Sequence, residues 1–394
     1  MDNKKAQVMK QSGFIIFFAI VLTIYSFFNW YILSRGLIAL PGAGIYRTLF
    51  VVLSLLLILS YPVGRIMERT VNRTLSEFFI HIGAYYLAVM VFAFFLILCI
   101  DFLRLGNHFL HFYPQAWLKP ESRIKPVLFW LVISFSFILT AAGAWNARQV
   151  RIRNLALQID KRVDWLPELN IVIASDFHLG NIIHNSRLEK IVAGINALQP
   201  DVILLPGDIF DEDITTLIEK NTAGILARFK SKYGVYAVPG NHEYYSGIDR
   251  AIGYLQQAHI TVLRDSAAFV ANSFYLIGRD DPTGKRFGGK REKLANLMQG
   301  IDQKYPSILL DHQPFHLEEA QENGVDLQLS GHTHHGQFFP FNLITNRVYE
   351  KSWGYLKKGN THYYISCGVG TWGPPVRLGN RPEIVRIRLQ FGEK

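Results

Sequence analysis

Four apolar stretches, roughly 13–33, 45–67, 78–103 and 126–147, occupy most of the N-terminal part of this 394-residue chain. Each holds about 20 residues or more. At about 1.5 Å rise per residue, a helix of that length crosses the ~30 Å hydrocarbon core of a bilayer. The first stretch is too long for the apolar part of a cleaved signal peptide, lacks a small-residue cleavage site, and precedes three more. Trp30, Tyr31, Trp130 and Trp145 lie near the predicted span ends, where aromatic belts form. Residues 1–147 therefore read as a four-helix transmembrane region, and 148–394 as a separate domain.

The charge divides the same way. Residues 1–165 carry 17 Lys and Arg against 7 Asp and Glu; the remainder carries 24 against 24. All of the net charge of +10 therefore flanks apolar segments, where it orients a membrane protein rather than recruiting a polyanion. No nucleic-acid partner is expected. Lys4, Lys5, Lys10, Arg65, Arg69, Arg73, Arg148, Arg151, Arg153, Lys161 and Arg162 fall on one side of the four spans. Arg35, Arg47, Arg104, Lys119, Arg123 and Lys125 fall on the other. Eleven against six places both termini, and the second domain, in the cytoplasm, as a multi-pass protein of the cell (inner) membrane.

Few polar groups interrupt the spans. Asp101 and Arg104 are three residues apart and would pair on one helix face near its end; His81 is similarly isolated. An ion pathway would need more buried charge. Two cysteines, Cys99 and Cys367, lie in different halves and form no disulfide framework.

From about residue 148 the pattern becomes α/β. Residues 150–159 alternate as extended chain. Short apolar strands are predicted at 170–174, 201–205, 235–238, 307–310 and 326–329, with a helix over 186–198 whose N-cap is Ser186. Strand-rich segments near 261–277 and 361–389 make the sheet mixed. Each of the five apolar strands ends in a polar cluster: SDFHLG, PGDIFDED, PGNHEYY, DHQP and SGHTHHG. In α/β sheets functional groups gather beyond the carboxyl ends of strands, so clusters spread over about 160 positions can converge.

These clusters supply Asp, His and Asn without cysteine, a donor set for Mn, Fe, Zn, Co or Ni ions. In Asp176-x-His178 and His332-x-His334, strand alternation would aim both side chains the same way. Gly207, Gly240 and Gly331 each precede a candidate ligand, as expected where backbone passes close to a metal.

The motifs D-x-H, G-D-x-x-D, G-N-H-E, a lone His and G-H-x-H follow one another in that order. They stand here as Asp176–His178, Gly207–Asp211, Gly240–Glu243, His312 and Gly331–His334. In this the chain resembles the calcineurin-like metallophosphoesterase superfamily over about 165–390. The resemblance implies an α/β fold of mixed β-sheets in a sandwich flanked by helices. It implies two divalent or trivalent metal ions. One would be held by Asp176, His178 and His334, the other by Asn241, His312 and His332, with Asp208 between them. It implies hydrolysis of a phosphoester by a hydroxide bridging the metals, with His242 acting on the leaving oxygen and Asp211 orienting His242.

The protein Ser/Thr phosphatases of the superfamily have Arg-Gly after the second Asp of G-D-x-x-D; Glu212-Asp213 stands here instead. Gly278–Pro282 (GRDDP), Gly331–Gln337 (GHTHHGQ) and the Gly- and Pro-rich tail from Gly368 to Ile384 resemble a bacterial, membrane-associated branch. That branch includes phosphodiesterases and UDP-2,3-diacylglucosamine hydrolases. The implied substrate is a phosphorylated small molecule or lipid at the membrane, cleaved at a phosphodiester or pyrophosphate bond. Arg377, in the tail, is expected to clamp a phosphate or to salt-bridge to the domain surface. The aromatic and basic segment 338–355 is expected to pack as a lid or lie on lipid headgroups. The competing reading is a membrane sensor or transporter whose metal-binding domain regulates the spans.

Overall fold

The computed structural model describes residues 2–40, 42, 44–68, 73–119, 122–163, 165–211 and 213–392, with backbone alone at 2–15, 17 and 18. The side chains of Lys4, Lys5 and Lys10, and all of Arg69 and Glu212, lie outside the described residues. The chain divides into two compact units, Met1–Ala144 and Trp145–Lys394.

In the first unit, three helices among the described residues are long and apolar enough to cross a membrane: Ile45–Met67, Arg73–Leu110 and Ile124–Asn146. The first predicted span falls within the helix Asp2–Ala39. The expected Asp101–Arg104 pair is present at 3.4 Å. Asp101 also binds Arg35 at 2.7 Å and the Tyr31 hydroxyl at 2.5 Å, partners from another helix that helical spacing alone does not reveal. A carboxylate so neutralised joins helices, the ordinary use of charge in such a segment. The Nδ1 of His81 lies 2.7 Å from the Glu77 carbonyl one turn back.

The second unit contains two six-stranded sheets. One has the order β1-β12-β2-β3-β4-β5, with β1 Arg151–Ile159, β2 Glu168–Ile173, β3 Val202–Pro206, β4 Val235–Val238, β5 Ile260–Val262 and β12 Glu383–Phe391. The other has the order β10-β11-β9-β8-β7-β6, with β6 Ser266–Val270, β7 Phe274–Gly278, β8 Ser307–Leu310, β9 Leu327–Ser330, β10 Gly354–Lys358 and β11 Thr361–Ile365. Neighbours from β2 to β5 and from β7 to β9 run parallel; β12 lies antiparallel to β2, and β6 to β7.

Strand alternation explains the layering. Ile171 and Ile173 of β2, with Val202 and Leu204 of β3, pack against Phe274, Leu276, Ile308, Leu310 and Leu329 in the space between the sheets. Val172, Ile203 and Leu205 point the other way, onto Leu188, Ile191 and Ile195 of the helix Asn185–Ala197. The second sheet buries Ile277, Leu309 and Ile365 beneath Leu294, Met298 and Leu317. Both faces of the central strands are thus covered. This is why they read as unbroken apolar runs, and the fold is a mixed β-sandwich flanked by helices. The helix predicted from Ser186 begins one residue earlier, with His184 at its N-cap position.

Candidate metal centre

Five strand ends deliver the candidate residues. Asp176 and His178 follow β2, Asp208 follows β3, Asn241 and His242 open the short helix after β4, His312 follows β8, and His332 and His334 follow β9. Strand alternation is not what aims the two pairs, contrary to the sequence expectation. All four residues lie beyond the strand ends, His334 at the start of a short 3-10 turn, and Asp176, His178, His332 and His334 have φ of +54°, +50°, +71° and +45°. Asp208 has φ +53°. L-residues reach this left-handed region at a cost on the order of 1 kcal/mol each, and such residues concentrate at functional sites. A fully buried Leu or Ile contributes about 1.5–3 kcal/mol, so a few core residues on either side offset the strain.

The loops leave no room for side chains where backbone must pass. A Cβ on Gly240 would sit 2.1 Å from Asp208 Oδ1, and one on Gly331 would sit 2.4 Å from Asp176 Oδ2.

Three groups of possible ligand atoms each fall within 4.8 Å of one another: Asp176, His178 and His334; His178, Asp208 and His242; Asp208, His312 and His332. His178 Nε2 and His334 Nε2 face each other at 2.9 Å, with Asp176 Oδ1 3.8 Å from the latter. On the other side, His312 Nε2 lies 3.1 Å from Asp208 Oδ2 and 3.3 Å from Asn241 Oδ1. The same Asp208 Oδ2 is 3.8 Å from His178 Nε2. Asp208 Oδ1 is occupied by the His242 amide at 2.9 Å, and Asp176 Oδ1 by the His332 amide at 2.8 Å. Each carboxylate is thus turned so that part of it faces the cluster. Converging imidazole nitrogens and carboxylate oxygens, buried and without cysteine, fit metal ions.

Second partners orient these ligands, as metal sites require. His312 Nδ1 donates to the Pro206 carbonyl at 2.8 Å, which turns Nε2 toward Asp208. Burial works against the Asp208 carboxylate, but His312 and then His242 hold it well below its usual range. Burial also opposes charge on His312, yet Asp208 keeps it well above an ordinary imidazole. Burial and the charge of His312 push His332 down to about 3. Burial, His178 and Arg377 push His334 well below the usual value.

His242 stands 4.5 Å from His178, ring to ring. Its Nδ1 donates to the Asp211 main-chain carbonyl, with the Asp211 carboxylate 3.4 Å away. That carboxylate lies 3.6 Å from His178 Nδ1 as well. Asp211 therefore meets His242 through backbone as well as side chain.

Residues 169–336 match the calcineurin-like phosphoesterase family. An uncharacterized metallophosphoesterase of Campylobacter jejuni is 30% identical over 384 residues, 96% of this chain and 99% of that one. The chain belongs to the calcineurin-like phosphoesterases. An uncharacterized metallophosphoesterase of Helicobacter pylori (strain J99) is 34% identical over 245 residues, 61% of this chain; the chain spans 64% of that relative's length. A protein of Danio rerio named transmembrane protein with metallophosphoesterase domain is 31% identical over 273 residues, 66% of this chain and 62% of its own.

Two features of this phosphoesterase escape sequence reasoning. Arg377, an expected phosphate clamp, faces inward. It is fully buried and donates Nη2 to the Cys367 and Gly370 carbonyls at 2.7 and 2.8 Å and Nη1 to Asn380 Oδ1 at 2.9 Å. Its Nη2 also lies 3.2 Å from His334 Nδ1, so it braces the Gly-rich tail behind a candidate ligand. Glu243 closes the G-N-H-E motif. Its buried carboxylate accepts the amides of Asp208, Ile209, Phe210 and Gly240 at 3.0, 2.8, 3.0 and 2.7 Å. The signal was available: an acid at the third position of a helix start closes a capping box. Among histidines outside the motifs, His335 binds Ser352 Oγ at 2.8 Å and His316 pairs with Glu318 at 3.1 Å, both local contacts.

Proposed function

We propose that the protein is a dinuclear-metal hydrolase of a phosphodiester or pyrophosphate bond in a membrane-associated substrate. The observation that carries this is Asp208 Oδ2, set between two ligand groups at 3.1 Å from His312 and 3.8 Å from His178. Asp176, His178 and His334 would hold one ion and Asn241, His312 and His332 the other, with Asp208 shared. Two cations bound there would lower the pKa of water and neutralise charge building on phosphoryl oxygens.

The chain's own groups then take defined parts. Neutral His332 and His334 present lone pairs. His242, fixed by the Asp211 carbonyl at Nδ1, offers its other nitrogen to a leaving oxygen. Aromatic side chains line the approach: Trp372 lies 6.1 Å and Tyr245 5.4 Å from the His242 ring, and Tyr349 6.2 Å from His332. The segment 338–355 contains the helix Phe341–Val348, with Leu343, Ile344 and Val348 more than half exposed and Phe339 and Trp372 similarly so. An exposed apolar rim beside a phosphate site suits an amphiphilic substrate. The apolar helices and the charge balance of the loops support anchoring in the inner membrane with this domain in the cytoplasm.

The test uses full-length protein in detergent with added Mn²⁺ or Zn²⁺. It should hydrolyse bis(p-nitrophenyl) phosphate and, in a screen of phospholipids, nucleotide-diphosphate sugars and lipid-linked pyrophosphates, prefer a lipid-bearing compound. Asp208→Asn should lose both metal and turnover. Full turnover by that variant would overturn the reading.

A further inference from the structure

A cavity of about 280 Å³, with none of the candidate metal ligands in its lining, opens in the phosphoesterase unit. Arg151, Arg153, Arg381, Trp353, Asn146 and Asn380 line it. Arg151 and Arg381 are exposed at their residues' surfaces, and neither guanidinium has a hydrogen-bond or ion-pair partner among the described residues. Arg153 lies over the Trp353 ring, 4.8 Å from its centroid. Buried Glu383 forms part of the wall. Its Oε1 is taken by Trp353 Nε1 at 3.0 Å, and its Oε2 faces Arg153 at 3.5 Å. Three arginines against one carboxylate leave the cavity positive, with two cations uncommitted.

Its place in the chain says which anion. Asn146 is the last residue of the apolar helix Ile124–Asn146, and exposed Trp145 precedes it. The cavity thus includes the residue that ends an apolar helix long enough to cross a membrane, and basic groups directly following such a helix are ones that meet lipid phosphates. Basic side chains just beyond a membrane helix are drawn to anionic headgroups, and arginine suits phosphate because its planar fork can donate two hydrogen bonds at once. The volume lies just under the about 300–1,000 Å³ of sites for drug-sized ligands, so it accepts a headgroup rather than a whole lipid.

We propose that this cavity seats the phosphate of an anionic glycerophospholipid headgroup, bound by Arg151, Arg153 and Arg381. The seat is not isolated from the metal centre. Asn146 Nδ2 donates to the Arg377 and Asn380 carbonyls at 3.0 and 2.7 Å. Asn380 Nδ2 in turn donates to the His334 carbonyl at 2.9 Å. One asparagine thus borders the headgroup seat and holds the main chain of a candidate metal ligand.

The proposal concerns binding and stands apart from any hydrolytic activity. Full-length protein in nanodiscs of equal phosphatidylglycerol and phosphatidylcholine, released for native mass spectrometry, should retain phosphatidylglycerol at least about tenfold over phosphatidylcholine. Arg151→Gln with Arg381→Gln should bring that ratio near one, while Arg151→Lys with Arg381→Lys keeps most of it. A photoactivatable phosphatidylglycerol on the unmodified protein should crosslink within residues 146–153 or 379–383, a readout independent of how the variants fold. Equal retention by the Gln variant and the unmodified protein would overturn the proposal, as would crosslinks confined elsewhere. So would inorganic phosphate protecting Arg151 and Arg381 from guanidinium-modifying reagents where phosphatidylglycerol does not, since the site would then serve a free anion.

Discussion

His312 and His332 lie 5.1 Å apart, ring to ring, yet they hold protons with opposite strength. Asp208 holds His312 well above an ordinary imidazole, whereas burial and the charge of His312 push His332 down to about 3. A metal ion can take His312 Nε2 only by displacing its proton. Mn²⁺ binding at pH 7 should therefore release protons, and affinity should fall as pH drops. Isothermal titration in two buffers of different ionisation enthalpy measures the release. We expect about one proton or more, with most of it lost in His312→Gln; no buffer dependence would contradict the assignment. His242 poses a different question, because its role is in the reaction rather than in holding metal. His242→Ala should lower turnover roughly 10²–10⁴-fold while the metal content stays near that of the unmodified protein. Unchanged turnover would remove it from the mechanism. At this scale the ordered motifs are legible as a group, and the structure brings Asp176, His178, Asp208, His312, His332 and His334 together. Arg377 is less legible, because an arginine in a Gly-rich tail has the same letter whether it faces solvent or, as here, fills the space behind His334.

The strand-end loops are where local preference and function part. The central strands are legible because both faces are buried: β4 and β8 fall where the apolar runs place them, and β2, β3 and β9 within two residues. The loops after them are not legible. Five candidate ligands in left-handed backbone follow from long-range contacts, not from propensity. Glu243 supplies many of those contacts, since four amides from two loops converge on its carboxylate. Hydrogen bonds to a charged group are worth about 1.5–3 kcal/mol each, and the buried donors left by its loss have no water. Glu243→Gln keeps the shape but can accept through one oxygen only. It should lower unfolding stability by on the order of 2 kcal/mol and reduce bound metal, read from the urea midpoint and metal analysis of the same preparation. A variant with normal stability and normal metal content would show that the G-D-x-x-D loop holds itself.

At the scale of the whole molecule, the decisive quantity is which side of the membrane the phosphoesterase unit occupies. That choice fixes the substrates it can meet. The loops carry eleven Lys and Arg on one side and six on the other if four spans are counted. Four of the six, Arg104, Lys119, Arg123 and Lys125, lie in a single loop. Three spans would instead put the N-terminus opposite the phosphoesterase unit and leave eight Lys and Arg on that unit's side against nine on the other. Only the four-span count therefore predicts a cytoplasmic C-terminus. A green fluorescent protein fused to the C-terminus should fluoresce, and alkaline phosphatase fused there should be silent, because each matures on one side only. The same pair at the N-terminus then separates four spans from three. An active alkaline phosphatase at the C-terminus would place the metal centre outside the cytoplasm and exclude every substrate that exists only inside.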